Sequence, residues 1–321
     1  MPTESLPRVV VIGAGAIGAG VGGLLWEAGA DVLLVARGAH AEALARDGLD
    51  LRLPGGPRRL RVPVGEVGDV EPGDLVLLAT MGHDTAAAVA SLPGNTPIVC
   101  FQNGLRPLEA LGERPVVATM VYVPAERRAP GVVVLAGSPA PGAIFLGRWP
   151  SGLNGTARAL AAALARAGFR AEVKADIAPW VRAKTLTNLG GVFAALCDDP
   201  PRDLVERCVD EARACFAALG AAVVPDDEFD AAIGPMEVAA VDGLPRVGGS
   251  TRHALARGDR LETASLHGYF VDLGVSVGVS TPLNAALVTL AERAFRERWS
   301  PGTLDAAALV RALGRPRRLV R

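Results

Sequence analysis

The stretch from Val9 to Trp26 constrains this chain most. Val9-Val10-Val11-Ile12 is a run of β-branched apolar residues, the pattern of a strand buried on both faces. Gly13-Ala14-Gly15-Ala16-Ile17-Gly18 follows, and then an apolar pattern compatible with a helix. In such a strand–turn–helix unit the first glycine permits a tight turn. The second lets backbone approach a pyrophosphate, and the third lets helix pack closely on strand. The free N–H groups and positive dipole end of the helix then face the phosphates. Gly13, Ala14, Gly15, Ala16, Ile17 and Gly18 are therefore expected to bind a dinucleotide. The stretch is uncharged, but its six glycines and its lack of a sustained run of large apolar residues argue against a membrane span.

A second strand, Asp31 to Arg37, follows at the spacing of a βαβ unit. Where an NAD-binding protein carries an acid at the end of this strand, this chain has Ala36 and Arg37. A guanidinium there either binds the extra phosphate of NADP or merely ends a strand in solvent. Further buried strands are expected at 74–80 and 96–101, with others at 116–124, 131–135, 143–147 and 171–173. A short β excursion turns at Pro54-Gly55-Gly56-Pro57. Gln102-Asn103-Gly104 stands at the carboxyl end of one strand, where open parallel sheets bind ligands, although Asn-Gly is also a common turn.

From about Asp176 the pattern is helical. One helix is expected from Pro179 to Leu196 and another from Arg202 to Leu219. A long helix includes Glu262, and a last one starts at Thr281-Pro282 with Thr281 as its cap. Lys184 and Asn188 lie four apart and share a helix face. A lysine among apolar neighbours either has a chemical task or snorkels to the surface. The expected architecture is α/β: an N-terminal Rossmann-type doubly wound sheet over 1–175 and an all-helical C-terminal domain over 176–321.

Composition excludes other classes. With a net charge of -1 over 321 residues, no global field attracts nucleic acid or anionic membrane. The basic tail, Arg315 to Arg321, reads as a solvated end. Cys100, Cys197, Cys208 and Cys215 lack metal-ligand spacing, so no metal site is expected and buried thiols in a reducing cytoplasm fit best. No basic n-region with a cleavage site opens the sequence, so no signal peptide is expected.

These features together resemble the ketopantoate reductase (2-dehydropantoate 2-reductase) family. The resemblance rests on Gly13, Gly15 and Gly18, on Arg37, and on Gln102-Asn103-Gly104. In the second half it rests on Lys184 with Asn188, on Ser250 followed twelve residues later by Glu262, and on Thr281-Pro282-Leu283-Asn284. It implies NADPH as cofactor and a small 2-oxo acid as substrate, held between a Rossmann domain and a helical domain in a monomer or homodimer. It further implies Lys184 as general acid and Asn103 and Asn188 as substrate-positioning amides. Ser250 and Glu262 bind substrate and fix the geometry, with Asn103 and Glu262 also meeting the cofactor. The chemistry suits those residue types: hydride addition to a ketone leaves negative charge on oxygen, which a nearby ammonium both stabilises and protonates. A lysine whose pKa is drawn down by partial burial is matched to that task.

Three single positions depart from the family pattern, and so does Ser250-Thr251-Arg252-His253, which lacks the polar pair that often follows the serine. Met81 replaces a lysine on the cofactor side, Val192 replaces an asparagine four residues beyond Asn188, and Ala264 replaces an aspartate after Glu262. They leave room for a related reductase of another carbonyl compound, or for an NADP-binding sensor without catalysis. Retention of Lys184 and Glu262 argues against the sensor.

Overall fold

The computed structural model describes residues 6–314; the basic tail from Arg315 and the first five residues lie outside them. The described residues divide into two compact units, 6–184 with 223–246, and 185–222 with 247–314. The first unit holds an eight-stranded sheet in the order Arg170–Val173, Ala143–Arg148, Val116–Tyr122, Ile98–Cys100, Leu75–Leu78, Val9–Ile12, Val32–Val35, Val64–Gly65. The six strands from Val64–Gly65 to Val116–Tyr122 pair in parallel. Their order is that of a doubly wound dinucleotide-binding sheet, which reverses direction beside Val9–Ile12. One pairing is antiparallel, between Val116–Tyr122 and Ala143–Arg148.

Every residue of Val9–Ile12 and of Leu75–Leu78 is buried, as expected where helices cover both faces of a parallel sheet. The helix Ala16–Glu27 packs on this sheet through Val21, Leu24 and Leu25. The glycines that precede those residues set how close it comes. A Cβ at Gly18 would stand 2.4 Å from the Gly13 carbonyl oxygen, and one at Gly22 would stand 2.8 Å from Leu34. A second sheet of four strands contains Leu49–Leu53 and Gly56–Leu60, an antiparallel pair where a short β excursion is expected, with Ala125–Ala129 and Val132–Leu135.

The boundary between units differs from the expected division at residue 175. The helix Ala178–Asn188 carries the chain from the first unit into the second. Residues 223–246, expected with the helical half, belong to the sheet unit. Specific contacts hold them there. Phe229 packs on Trp180, which packs edge-on against Phe145. Glu237–Val238 pairs with Gly137–Ser138, and Asp242 pairs with Arg52 at 2.7 Å.

The second unit is helical and has its own core, in which Phe193, Leu196, Leu204, Leu255, Leu287 and Leu309 meet. The single helix expected from Pro179 to Leu196 is two, Ala178–Asn188 and Gly190–Leu196, broken at Leu189-Gly190. A Cβ at Gly191 would lie 2.9 Å from Thr251 Oγ1, so this glycine admits the helix Ser250–Ala256. Thr281 does occupy the cap position of the helix Pro282–Arg296, but its hydroxyl makes no capping bond. Glu211 does so instead, accepting from the N–H groups of Leu283 (2.9 Å) and Asn284 (3.1 Å). A carboxylate from another helix satisfies two of the three unpaired donors left at a helix start whose first residue, Pro282, has no N–H, and complements the dipole. No helix among the described residues is long and apolar enough to cross a membrane.

Candidate active site

In the sheet unit the glycine turn follows Val9–Ile12 directly. Gly13 adopts φ +92°, and a Cβ there would meet Thr80 N at 2.6 Å. Both its conformation and its packing therefore require glycine. Gly15 differs. Its φ of −81° suits any residue, and the nearest atom to a Cβ there is 4.0 Å away. No steric contact within the protein calls for glycine at 15, so the space beside it suits an incoming ligand. Gly15 is also the N-cap of Ala16–Glu27, a helix with no capping side chain and no acid in its first turn. Its leading N–H groups and dipole favour an anion.

His40, buried on the helix Gly38–Asp47, holds this turn from behind. The Gly131 N–H donates to His40 Nδ1 at 2.9 Å, so Nδ1 carries the lone pair. The proton therefore sits on Nε2, which donates to the Ala14 carbonyl at 2.7 Å. Burial lowers the His40 pKa, consistent with this neutral tautomer. The sequence offered no sign of the role, because its partners lie 26 residues before and 91 residues after it.

Arg37 stands two residues beyond the second strand, Val32–Val35, as the N-cap residue of Gly38–Asp47, with its side chain 86% exposed. The fold brings it a carboxylate that the local sequence lacks: Asp84 Oδ2 lies 3.4 Å from Arg37 Nη2. Asp84 belongs to the short turn Gly82–Asp84, capped by Met81. Gln102 fixes the start of that turn. Its Nε2 donates to Thr80 O (3.0 Å) and Met81 O (3.1 Å), while its Oε1 accepts from Thr85 Oγ1 (3.0 Å). Buried Gln102 thus ties the carboxyl ends of two adjacent strands and sets where half-buried Asn103 emerges. Gly104 takes φ +86°, so the Asn-Gly pair forms a turn as well.

Lys184 lies on the helix Ala178–Asn188, within the sheet unit. Its Nζ is 5.2 Å from the centroid of the Tyr122 ring, at the end of the strand Val116–Tyr122. Burial of the ammonium, helped by the nearby positive charge of Arg246, pushes its pKa down to about 8. A snorkelling surface lysine has no such shift.

The helical unit carries the other expected residues. Asn188 is the last residue of its helix and is half-buried. Ser250 is the first residue of Ser250–Ala256 and is exposed. Half-buried Glu262 is the N-cap residue of Thr263–Val277, its carbonyl accepting from Ser265 N at 3.1 Å and Ser265 Oγ at 3.0 Å. Asn188, Ser250 and Glu262 thus all stand at helix ends, where a side chain can project past the helix axis. Val192 does not accompany them: it lies on the helix after the break at Leu189 and is 2% exposed within the helical core. Ala264 is exposed. All four cysteines are buried and unbridged.

Comparisons with known proteins match this arrangement. The family model Ketopantoate reductase PanE/ApbA matches residues 9–151, and Ketopantoate reductase PanE/ApbA C terminal matches residues 184–294. A 2-dehydropantoate 2-reductase of Halobacterium salinarum is 32% identical, covering 90% of this chain and 99% of that protein. One from Archaeoglobus fulgidus is 31% identical over 88% and 96% of the two. Among solved structures, a PanE/ApbA family ketopantoate reductase from Ralstonia eutropha JMP134 superposes with a TM-score of 0.74 at 28% identity, covering 91% of this chain and 99% of its own. A D-mandelate dehydrogenase solved with NADH and anilino(oxo)acetate shares the fold, with a TM-score of 0.75 at 20% identity over 91% of this chain and 99% of its own. The doubly wound sheet with its glycine turn, the helical unit and these matches along both halves lead to one conclusion: the chain belongs to the ketopantoate reductase family, oxidoreductases acting on CH–OH groups.

Proposed function

We propose that this protein reduces a small 2-oxo acid to the 2-hydroxy acid with NADPH, nominally 2-dehydropantoate to pantoate. The observation that carries this reading is Lys184: an ammonium at the end of a sheet strand, over Tyr122, with a pKa near 8. Near neutral pH such a group is protonated yet gives up its proton readily, the balance a general acid needs. The bound nicotinamide would supply the hydride. Lys184 would hold a proton toward the carbonyl oxygen and stabilise the charge forming there. The open face at Gly15 and the uncapped start of Ala16–Glu27 support a dinucleotide in the sheet unit, with Gly13, Ala14, Ala16, Ile17 and Gly18 shaping the turn. We assign Arg37 to the 2′-phosphate, Asn103 to both ligands, and Asn188, Ser250 and Glu262 to the substrate, with Glu262 also reaching the cofactor. Four buried thiols fit a cytoplasmic enzyme.

The test is the rate of NADPH oxidation with ketopantoate and a panel of other 2-oxo acids, beside thermal shifts with NADPH and NADH. Turnover of ketopantoate with NADPH stabilising more than NADH supports the reading. NADPH binding without turnover of any 2-oxo acid would replace it with a reductase of a different carbonyl compound.

A further inference from the structure

A second cation converges on the place Lys184 occupies. Arg246 closes the segment 223–246 of the sheet unit, and its side chain is half-buried. Its Nη2 lies 3.4 Å from the carbonyl oxygen of Ala125, three residues along the chain from the Tyr122 ring that Lys184 overlies. Both charges therefore sit on the turn between Val116–Tyr122 and Ala125–Ala129. Glu126 faces Arg246, but it also faces Arg128, with Arg128 Nε 3.7 Å from Glu126 Oε2. That carboxylate therefore faces two cations.

Two like charges held together at a half-buried place repel, and an anion received beside both relieves the repulsion. A 2-oxo acid matches in shape. Its carboxylate is on the carbon next to the carbonyl, so whatever receives the carboxylate must stand beside the donor that protonates the carbonyl oxygen. A guanidinium offers forked N–H groups to a carboxylate, whereas an ammonium is a compact proton donor. Building on the reductase reading above, we propose that Arg246 receives the substrate's carboxylate while Lys184 addresses the neighbouring carbonyl oxygen, which makes Arg246 the residue that selects acids over neutral ketones. In agreement, the charge of Arg246 adds to burial in lowering the Lys184 pKa, so the two groups sense one another.

The experiment compares the unmutated protein with Arg246→Gln and Arg246→Lys. Steady-state constants are measured for a 2-oxo acid and for its neutral amide. Binding of oxamate, a non-reducible 2-oxo acid analogue, to the NADPH-loaded protein is measured by calorimetry. Arg246→Gln should raise KM for the acid about ten- to a hundredfold, the loss of a charged hydrogen bond, with a smaller change in kcat and little change for the amide. Oxamate binding should weaken alongside, and Arg246→Lys should restore part of both. An acid-to-amide preference that survives Arg246→Gln overturns the assignment, even if the enzyme turns over ketopantoate well. Arg246-dependent oxamate binding without turnover of any 2-oxo acid would uphold the anion site and sink the reductase reading. Absence of both would sink the two together.

Discussion

Replacing His40 with alanine tests the support behind the glycine turn. The imidazole is buried and spans two buried backbone groups, the Ala14 carbonyl at 2.7 Å and the Gly131 N–H at 2.9 Å. His40→Ala leaves both without this partner. Each unpaired buried group costs about 1–3 kcal/mol, and water entering the vacated space recovers part, leaving about 2–4 kcal/mol net. For a unit of this size that lowers Tm by roughly 5–10 °C. The loss falls on the turn itself, so NADPH binding should weaken by about tenfold or more, equivalent to ~1.4 kcal/mol. Differential scanning fluorimetry and a fluorescence titration with NADPH read the two effects. The same clamp makes the unit acid-sensitive. The folded pKa of His40 is lowered, so the unfolded chain binds more protons as pH falls below about 6.5, and stability drops in that direction. A Tm within about 2 °C of the unmutated protein, with NADPH affinity unchanged, would refute the idea that His40 sets the loop.

Other outcomes follow from the same physics. His267 is fully buried in the helical unit and its pKa is pushed down to about 4, so stability should fall as pH drops from about 6.5 toward 4, by up to about 3 kcal/mol. Urea unfolding at pH 7 and pH 4.5 measures the fall, and His267→Gln should reduce it while leaving the share due to His40; an undiminished slope in the variant would clear His267 of the effect. Asp84 lies beside the exposed Arg37, so Asp84→Asn should raise the NADPH-to-NADH preference several-fold and Arg37→Ala should erase most of it. Equal dissociation constants for the two cofactors in all three proteins would remove Arg37 from the phosphate site.

Local sequence carried the sheet, because short apolar runs such as Val9–Ile12 and Leu75–Leu78, with glycine or polar residues close at each end, read as strands buried on both faces. The glycine turn was legible for the same reason: steric demands at Gly13 and Gly18 come from atoms within the same short unit or the adjoining strand. Long-range pairings were not legible. Nothing near His40 points to Ala14 or Gly131, nothing near Arg37 announces Asp84, and Glu211 takes a capping bond that local rules give to Thr281. The single long helix through Val192 failed because the interruption at Leu189 falls within a periodic apolar pattern that does not reveal it. The return of 223–246 to the sheet unit depends on Phe229 meeting Trp180 and on Asp242 meeting Arg52, contacts made only once the fold exists.

The central claim is that Lys184 is the acid of a 2-oxo acid reduction, and the pH profile of kcat/KM for ketopantoate tests it most directly. An acid with a pKa of about 8 must be protonated to act, so the rate should be level below that pH and fall tenfold per unit above it. Lys184→Ala should lower kcat by ~10²–10⁴ at pH 7 and abolish that falling limb, with NADPH affinity intact. A profile that stays flat well above pH 8, or a variant that keeps near-normal turnover, would contradict the account.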